Sequence, residues 1–255
     1  MARPRITTER LLSAPPGCGS ATAAAGDGIG DCEANLARRR LWQLLSPTLP
    51  IGAYSYSGGL EYAVEAGWVR DAEGTGNWLR GQLLHALSRV DIPLLARLHA
   101  AWLSGDPVAV HRYSAWLRAS RETAELAAED HHLGRALAAL LVDLGLAEAR
   151  AWQAEPATSW ATLFALALAR WNIPLTEGAE GYLWSWCENQ VAAAVKLVPL
   201  GQTAGQRLLF GLAGPVGDAV AGGLQLAEHE IGGTAPGVAI ASSLHETQYS
   251  RLFRS

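Results

Sequence analysis

Leucines recur along most of this chain at helical spacing. In the run RETAELAAEDHHLGRALAALLVDLG, Leu126, Leu133, Leu137, Leu140 and Leu144 step by 7, 4, 3 and 4 residues. Side chains three and four apart stack on one helix face, so the spacing predicts an amphipathic helix. Gly145 follows as its stop, and Glu129 and His132 are expected on the polar face opposite the leucines. Upstream, Leu36, Leu41, Leu44 and Leu45 predict a short first helix ended by Ser46-Pro47. Asp71 is expected to cap a helix carrying Trp78, Leu79, Leu83, Leu84 and Leu87. Asp91 is expected to cap the next, with Pro93 in its first turn and Leu94, Leu95, Leu98 and Trp102 as its stripe. Asp106-Pro107 opens another, and residues 157–170 read as an apolar helix. Thr176 is the expected cap of a helix bearing Tyr182, Leu183, Trp186 and Val191. Pro199-Leu200-Gly201 interrupts the chain before a last long helical run. No segment alternates as a strand does, and no repeat of solenoid length recurs. The pattern predicts an all-α fold, a single globular domain of roughly eight to ten helices over residues 35–241.

The two ends depart from this pattern. Residues 1–34 are rich in Pro, Gly, Ala and Ser without a period, and read as a flexible N-terminal tail. The last stretch, SSLHETQYSRLFRS over residues 242–255, holds Tyr249, Phe253, Arg251 and Arg254 on a segment too short to bury them by itself. Aromatic and arginine side chains dominate interface hot spots. The segment therefore reads as a partner-binding tail, ordered by what it binds. The alternative is that its rings pack on their own domain.

Composition narrows the function classes. Apolar residues make up 49% of the 255, enough for a large core without disulfide staples. A net charge of -4 points to neither nucleic acid nor an anionic membrane surface. The three cysteines, Cys18, Cys32 and Cys187, form no Cys-x-x-Cys pair, which fits free thiols in a reducing cytoplasm. The basic N-terminus is followed by no apolar signal core, and no later apolar run reaches the length of a membrane span. A cytoplasmic protein is expected.

Three places were candidates for chemistry. Glu129-x-x-His132 resembles half of a di-iron bundle site, but none of the other six histidines has a Glu three residues before it. His245-Glu246 lacks the second histidine of a zinc-protease helix, because position 249 is Tyr. GAYSYSGG lacks the Lys-Ser/Thr of a phosphate loop, and no nucleophile elbow occurs. No catalytic residues, bound cofactor or metal ligands are therefore assigned, and a binding module outranks an enzyme. The remaining candidate is ENQVAAAVKLVPLGQTAGQ, where Glu188, Asn189 and Lys196, the one lysine against nineteen arginines, interrupt an apolar stretch. Asn189 and Lys196 lie seven apart, on one helix face. They read as a recognition patch or as a solvated face, with Lys196 either paired to a carboxylate of another helix or awaiting a partner.

Three blocks together resemble the UreF family of urease accessory proteins. They are SPTLPIGAYSYSGGLE, with Tyr54 where the family usually has Phe; RETAELAAED with Gly134; and YLWSWCENQVAAAVKLVPLGQTAGQRLL joined to the closing HETQYSRLFRS. The resemblance implies an all-helical, dimeric, non-enzymatic scaffold. With UreD (UreH in some organisms) it would recruit and modulate the GTPase UreG, and the assembly would pass nickel into apo-urease. Nickel would be handled by the complex and not held as a stable cofactor by this chain. Carried to this sequence, His245, Glu246, Gln248, Tyr249, Arg251, Phe253 and Arg254, with Ser55 and Tyr56 beside them, would face UreD/UreH. Lys196, Glu188 and Asn189 would face UreG. A helical nickel carrier and a generic helical adaptor are the competing readings.

Overall fold

A computed structural model describes residues 27–255. Ten α-helices occur among them, with short 3₁₀ and π turns and no strand among the described residues. In chain order they are α1 (Asp27–Leu44), α2 (Leu60–Glu65), α3 (Ala72–Gln82), α4 (Asp91–Ser104), α5 (Pro107–Ala119), α6 (Ala124–Asp143), α7 (Trp160–Arg170), α8 (Leu175–Leu197), α9 (Gln202–Leu224) and α10 (Pro236–His245). The all-α expectation therefore holds.

α7 is the centre. Every residue from Trp160 to Ala169 is buried, as an all-round apolar helix requires. Ser159 caps it by accepting from the Thr162 amide at 3.1 Å. α4, α6 and α8 pack around it, and α5 and α9 close the outside. Gly134 sets the approach of α6 to α7: a Cβ there would lie 2.5 Å from the Ser159 carbonyl carbon.

Several expectations shift. α1 starts at Asp27, inside the stretch read as a tail; residues 1–26 lie outside the described residues. α10 runs to His245, so the C-terminal segment begins as helix. Asp71 and Asp106 cap as expected, accepting from Gly74 and Ala109 amides at 2.8 and 3.0 Å. Asp91 does not cap α4. Its carboxylate is drawn instead into a buried ion cluster with Arg121, at 2.7 and 3.0 Å. Thr176 lies inside α8, whose N-cap is Pro174. Glu129 also departs from the expected polar face. It is three residues past Leu126 and four before Leu133, so it falls on the leucine side and is half-buried.

A second, smaller core lies beside the main one. Leu60, Ala63 and Val69 from the α2 region meet Ala193, Ala194 and Val198 of α8, Ala241 of α10, and Phe253 of the C-terminal segment. The last residues of the chain are thus part of the fold.

Candidate functional site

The C-terminal segment leaves α10 and folds back over α2 and the loop before it. Gly59 makes room for α10. Its φ is +81, in the left-handed region, and a Cβ on Gly59 would meet the Ser242 amide nitrogen at 3.1 Å. With α10 held close, the segment reaches Glu61 on α2. The carboxylate accepts the backbone amides of Leu252 at 2.6 Å and Phe253 at 2.8 Å. His245 Nε2 lies 3.3 Å from the same carboxylate, and its Nδ1 lies 2.7 Å from Glu125 Oε2. Both ring nitrogens face carboxylates, and both donate only when the ring carries both protons. Arg251 closes the cluster by donating to Glu125 Oε1 at 2.9 Å.

The end of the segment is tied to the loop before α2. The Arg254 amide donates to the Ser55 carbonyl at 2.9 Å, and the Ser57 amide donates to the Ser255 oxygen at 2.9 Å. The Ser57 hydroxyl donates to that same oxygen, and the Ser255 hydroxyl donates to Glu129 Oε2 at 2.7 Å. Burial lifts the Glu129 carboxyl to about 7, against the lowering effect of the Ser255 hydrogen bond. Tyr56 is buried. Its hydroxyl pairs with His132 Nδ1 at 2.9 Å, and its carbonyl accepts from Asn189 Nδ2 at 3.2 Å. His132 is held below its ordinary value by burial and then by the charges of His131, Arg254 and Arg135.

The residues expected to face UreD/UreH divide into two groups. His245 and Phe253 are buried, and Arg251 is engaged with Glu125. Tyr56 is buried and Ser55 half-buried. Glu246, Tyr249 and Arg254 are exposed, and Gln248 is half-buried. Tyr249 stands fully out at 105%, with Leu252, Leu244 and Ile240 also turned outward. The ring of Phe253 therefore packs on its own domain while that of Tyr249 does not.

The second set does not form a separate patch. Lys196 is exposed and pairs with no carboxylate among the described residues; its ammonium lies over the Phe253 ring at 5.3 Å. Asn189 joins the loop through Tyr56. Glu188 is half-buried, and burial raises its carboxyl above the ordinary value. Lys196 and Asn189 thus belong to the surroundings of the C-terminal segment.

Sequence reasoning missed Glu61, Glu125, Ser57 and Ser255. The available signal was that the blocks carrying the family resemblance end on or contain them. Glu61 closes the first block and Glu125 sits in the second, and the fold brings both to the tail. Below this cluster, Arg121 bridges Asp91 and Asp130, donating to Asp130 Oδ2 at 3.0 Å. Burial disfavours its charge, but the two aspartates more than reverse that and hold the guanidinium well above its ordinary value. Among the described residues no group of three or more His, Cys, Asp or Glu is placed to hold a metal, and no helix is long and apolar enough to cross a membrane.

The family model for UreF matches residues 69–213. The chain is 70% identical over 220 residues to a urease accessory protein UreF of Alkalilimnicola ehrlichii, covering 86% of this chain and 96% of that protein. It is 46% identical over 220 residues to the UreF of Hahella chejuensis, covering 86% and 99%. It is 48% identical over 221 residues to the UreF of Pseudomonas putida, covering 87% and 99%. The chain therefore belongs to the UreF family of urease accessory proteins.

Proposed function

We propose that this chain is a non-enzymatic scaffold of nickel delivery to urease, and that its C-terminal segment is the face that receives UreD/UreH. The observation that supports this reading is the division within the segment. Glu61, Glu125 and Glu129 hold its base, while Tyr249 and Leu252 are presented outward. A fully exposed tyrosine on a segment fixed at its base meets a partner with little ordering cost, because the backbone is already held. Exposed apolar side chains beside it add the area that an interface core needs. The chain acts in the cytoplasm as a homodimer. With UreD/UreH it recruits UreG and modulates GTP turnover, and nickel is cargo of the assembly.

The test leaves the docked base intact. Tyr249→Ala with Leu252→Ala removes only outward side chains. The variant is expected to melt as the parent does and to lose at least about tenfold in capture of UreD/UreH, the scale of a hot-spot pair. It is also expected to fail to restore urease activity in a strain lacking this protein. Capture and activation equal to the parent's would sink the assignment. Metal analysis of the purified chain separates the scaffold from a nickel carrier: tight stoichiometric nickel in the chain alone favours the carrier.

A further inference from the structure

One face of α6 gathers positive charge on a chain whose net charge is -4. His132 and Arg135 lie three residues apart, so they share that face. Both are exposed, and with Ala136, Ala139 and Gln153 they line an open recess of about 350 Å³. No carboxylate lines it. The C-terminal segment brings a third cation beside His132. The Arg254 amide is held by the Ser55 carbonyl, the adjoining Tyr56 reaches His132, and Ser255 reaches Glu129 three residues before it. Arg254 is exposed, and its charge bears on the His132 ring together with that of Arg135.

These groups keep donors to spare. Arg135 uses Nε to donate to the Gln153 carbonyl at 2.8 Å, at the end of the 3₁₀ turn Ala147–Gln153. That bond steadies the guanidinium and leaves its two terminal nitrogens, a pair that matches the two oxygens of a carboxylate. His132 turns Nδ1 to the Tyr56 hydroxyl at 2.9 Å. When that hydroxyl donates, the neutral ring carries its proton on Nε2 and is a donor there. The acids next along α6 are committed elsewhere. Glu129 accepts from Ser255, and Asp130 accepts from Arg121 and the Trp160 backbone amide. Among the described residues no carboxylate pairs with Arg135, Arg254 or His132. Like charges held this close repel one another, and an arriving anion relieves that repulsion.

We propose that this face of α6 docks an acidic segment of a partner protein, with one carboxylate accepting from Arg135 and His132 Nε2 and a second beside Arg254. At about 30 Å³ per water the recess equals roughly a dozen waters, which is room for acidic side chains and not for a folded element. A nucleic acid would set a long run of phosphates against a chain of net negative charge, whereas a short acidic segment needs only this local patch. The inference does not depend on Tyr249 and Leu252 receiving a partner, because neither lines the recess.

The test uses the full chain labelled at its histidines, with acetyl-tetraglutamate amide as the probe. Acetyl-tetraglutamine amide is the uncharged isostere, and inorganic phosphate and a short DNA duplex are the competing anions. His132→Gln identifies the His132 resonance among those of the seven histidines. At low salt the glutamate peptide is expected to move that resonance saturably, with a midpoint of about 1 mM, weak because a single patch is engaged. The titration midpoint of His132 is expected to rise in its presence, since a nearby carboxylate favours the protonated ring. Arg135→Gln is expected to raise the peptide midpoint about three- to tenfold, the scale of an exposed charge-assisted pair. Arg207→Gln, on the exposed side of α9, a helix packed on α3, α4 and α8, is expected to leave it unchanged. No saturable movement up to about 20 mM peptide overturns the proposal. So does an equal response to the glutamine peptide, or phosphate or the duplex binding as tightly as the glutamate peptide. An unmoved titration midpoint, or Arg135→Gln and Arg207→Gln proteins that melt as the parent does and bind the peptide alike, overturns it too.

Discussion

Lys196 holds its ammonium 5.3 Å from the centroid of the Phe253 ring. The one lysine of the chain therefore rests on the buried aromatic of the C-terminal segment. A cation over an aromatic face at an exposed site contributes about 0.5–1 kcal/mol. Lys196→Ala should raise the population of the undocked segment by about two- to fivefold, given that contribution. Amide hydrogen exchange at Phe253 and Arg254 should accelerate by that factor, while α7 stays unchanged. Lys196→Arg should restore slow exchange, because a guanidinium serves the ring as well. Unaltered exchange in the alanine variant would show that the contact carries no docking energy.

Glu61 is the stronger anchor. It gathers two backbone amides and one imidazole nitrogen in a buried site, and charge-assisted bonds of this kind contribute about 1.5–3 kcal/mol each where desolvated. Without the carboxylate the amides of Leu252 and Phe253 gain more from water than from docking. Glu61→Ala should leave the helical content unchanged and expose residues 250–255 to protease. Glu61→Gln, which keeps an acceptor oxygen and loses the charge, should fall between the two. Resistance of the alanine variant equal to the parent's would place the anchor elsewhere.

What the sequence disclosed and withheld follows one line. Period and punctuation are local, so the helices, the caps at Asp71 and Asp106, and the stop at Gly145 (φ +95) were legible. Asp91 and Glu129 were misplaced for the opposite reason. A carboxylate near a helix start, or within a polar-looking run, has an obvious local role. Here each was claimed by a distant partner, Arg121 in one case and Ser255 in the other. The C-terminal segment was conspicuous by composition, and its aromatics were assigned together. Phe253 and Tyr249 have opposite fates, because the pocket that takes Phe253 is built by α2, α8 and α10. No spacing within the segment could reveal that pocket.

Gly134 is a test of the main core. A Cβ at this position would meet the Ser159 carbonyl carbon at 2.5 Å and its oxygen at 2.6 Å. The obstacle is backbone at the capped start of α7, which cannot rotate aside as a side chain does. Alanine is the better helix former by about 1 kcal/mol, so propensity alone predicts stabilisation. Overpacking costs about 1–3 kcal/mol and should win. Gly134→Ala is expected to lower the melting temperature by several degrees, on the scale of about 2–4 °C per kcal/mol for a chain of this size. Gly81→Ala, where a Cβ meets nothing within 4 Å, is the matched control and should be neutral or stabilising. A Gly134→Ala protein more stable than the parent would mean that α6 and α7 separate at little cost.

Glu129 should make stability depend on pH in a recognisable direction. Its carboxyl is raised from 4.5 to about 7 in the folded protein, chiefly by burial. Between those values the native state holds a proton that the unfolded chain has released. Stability from this group is then fully present below the unfolded value and is lost as pH rises through the folded one. Other groups act in the opposite sense. The Arg170 hydrogen bond holds Glu148 below its ordinary value, so its contribution is lost on acidification, while burial lowers His99 and makes stability rise with pH. The total curve therefore conceals the term, and a difference reveals it. Glu129→Gln is uncharged throughout and keeps an oxygen for the Ser255 hydroxyl. The melting temperature of the parent minus that of the variant should fall steadily from about pH 5 to about pH 8, the window set by the two values. A flat difference across that window would show that Glu129 is hydrated and ionised like a surface carboxylate, and that Ser255 does not seal it from water.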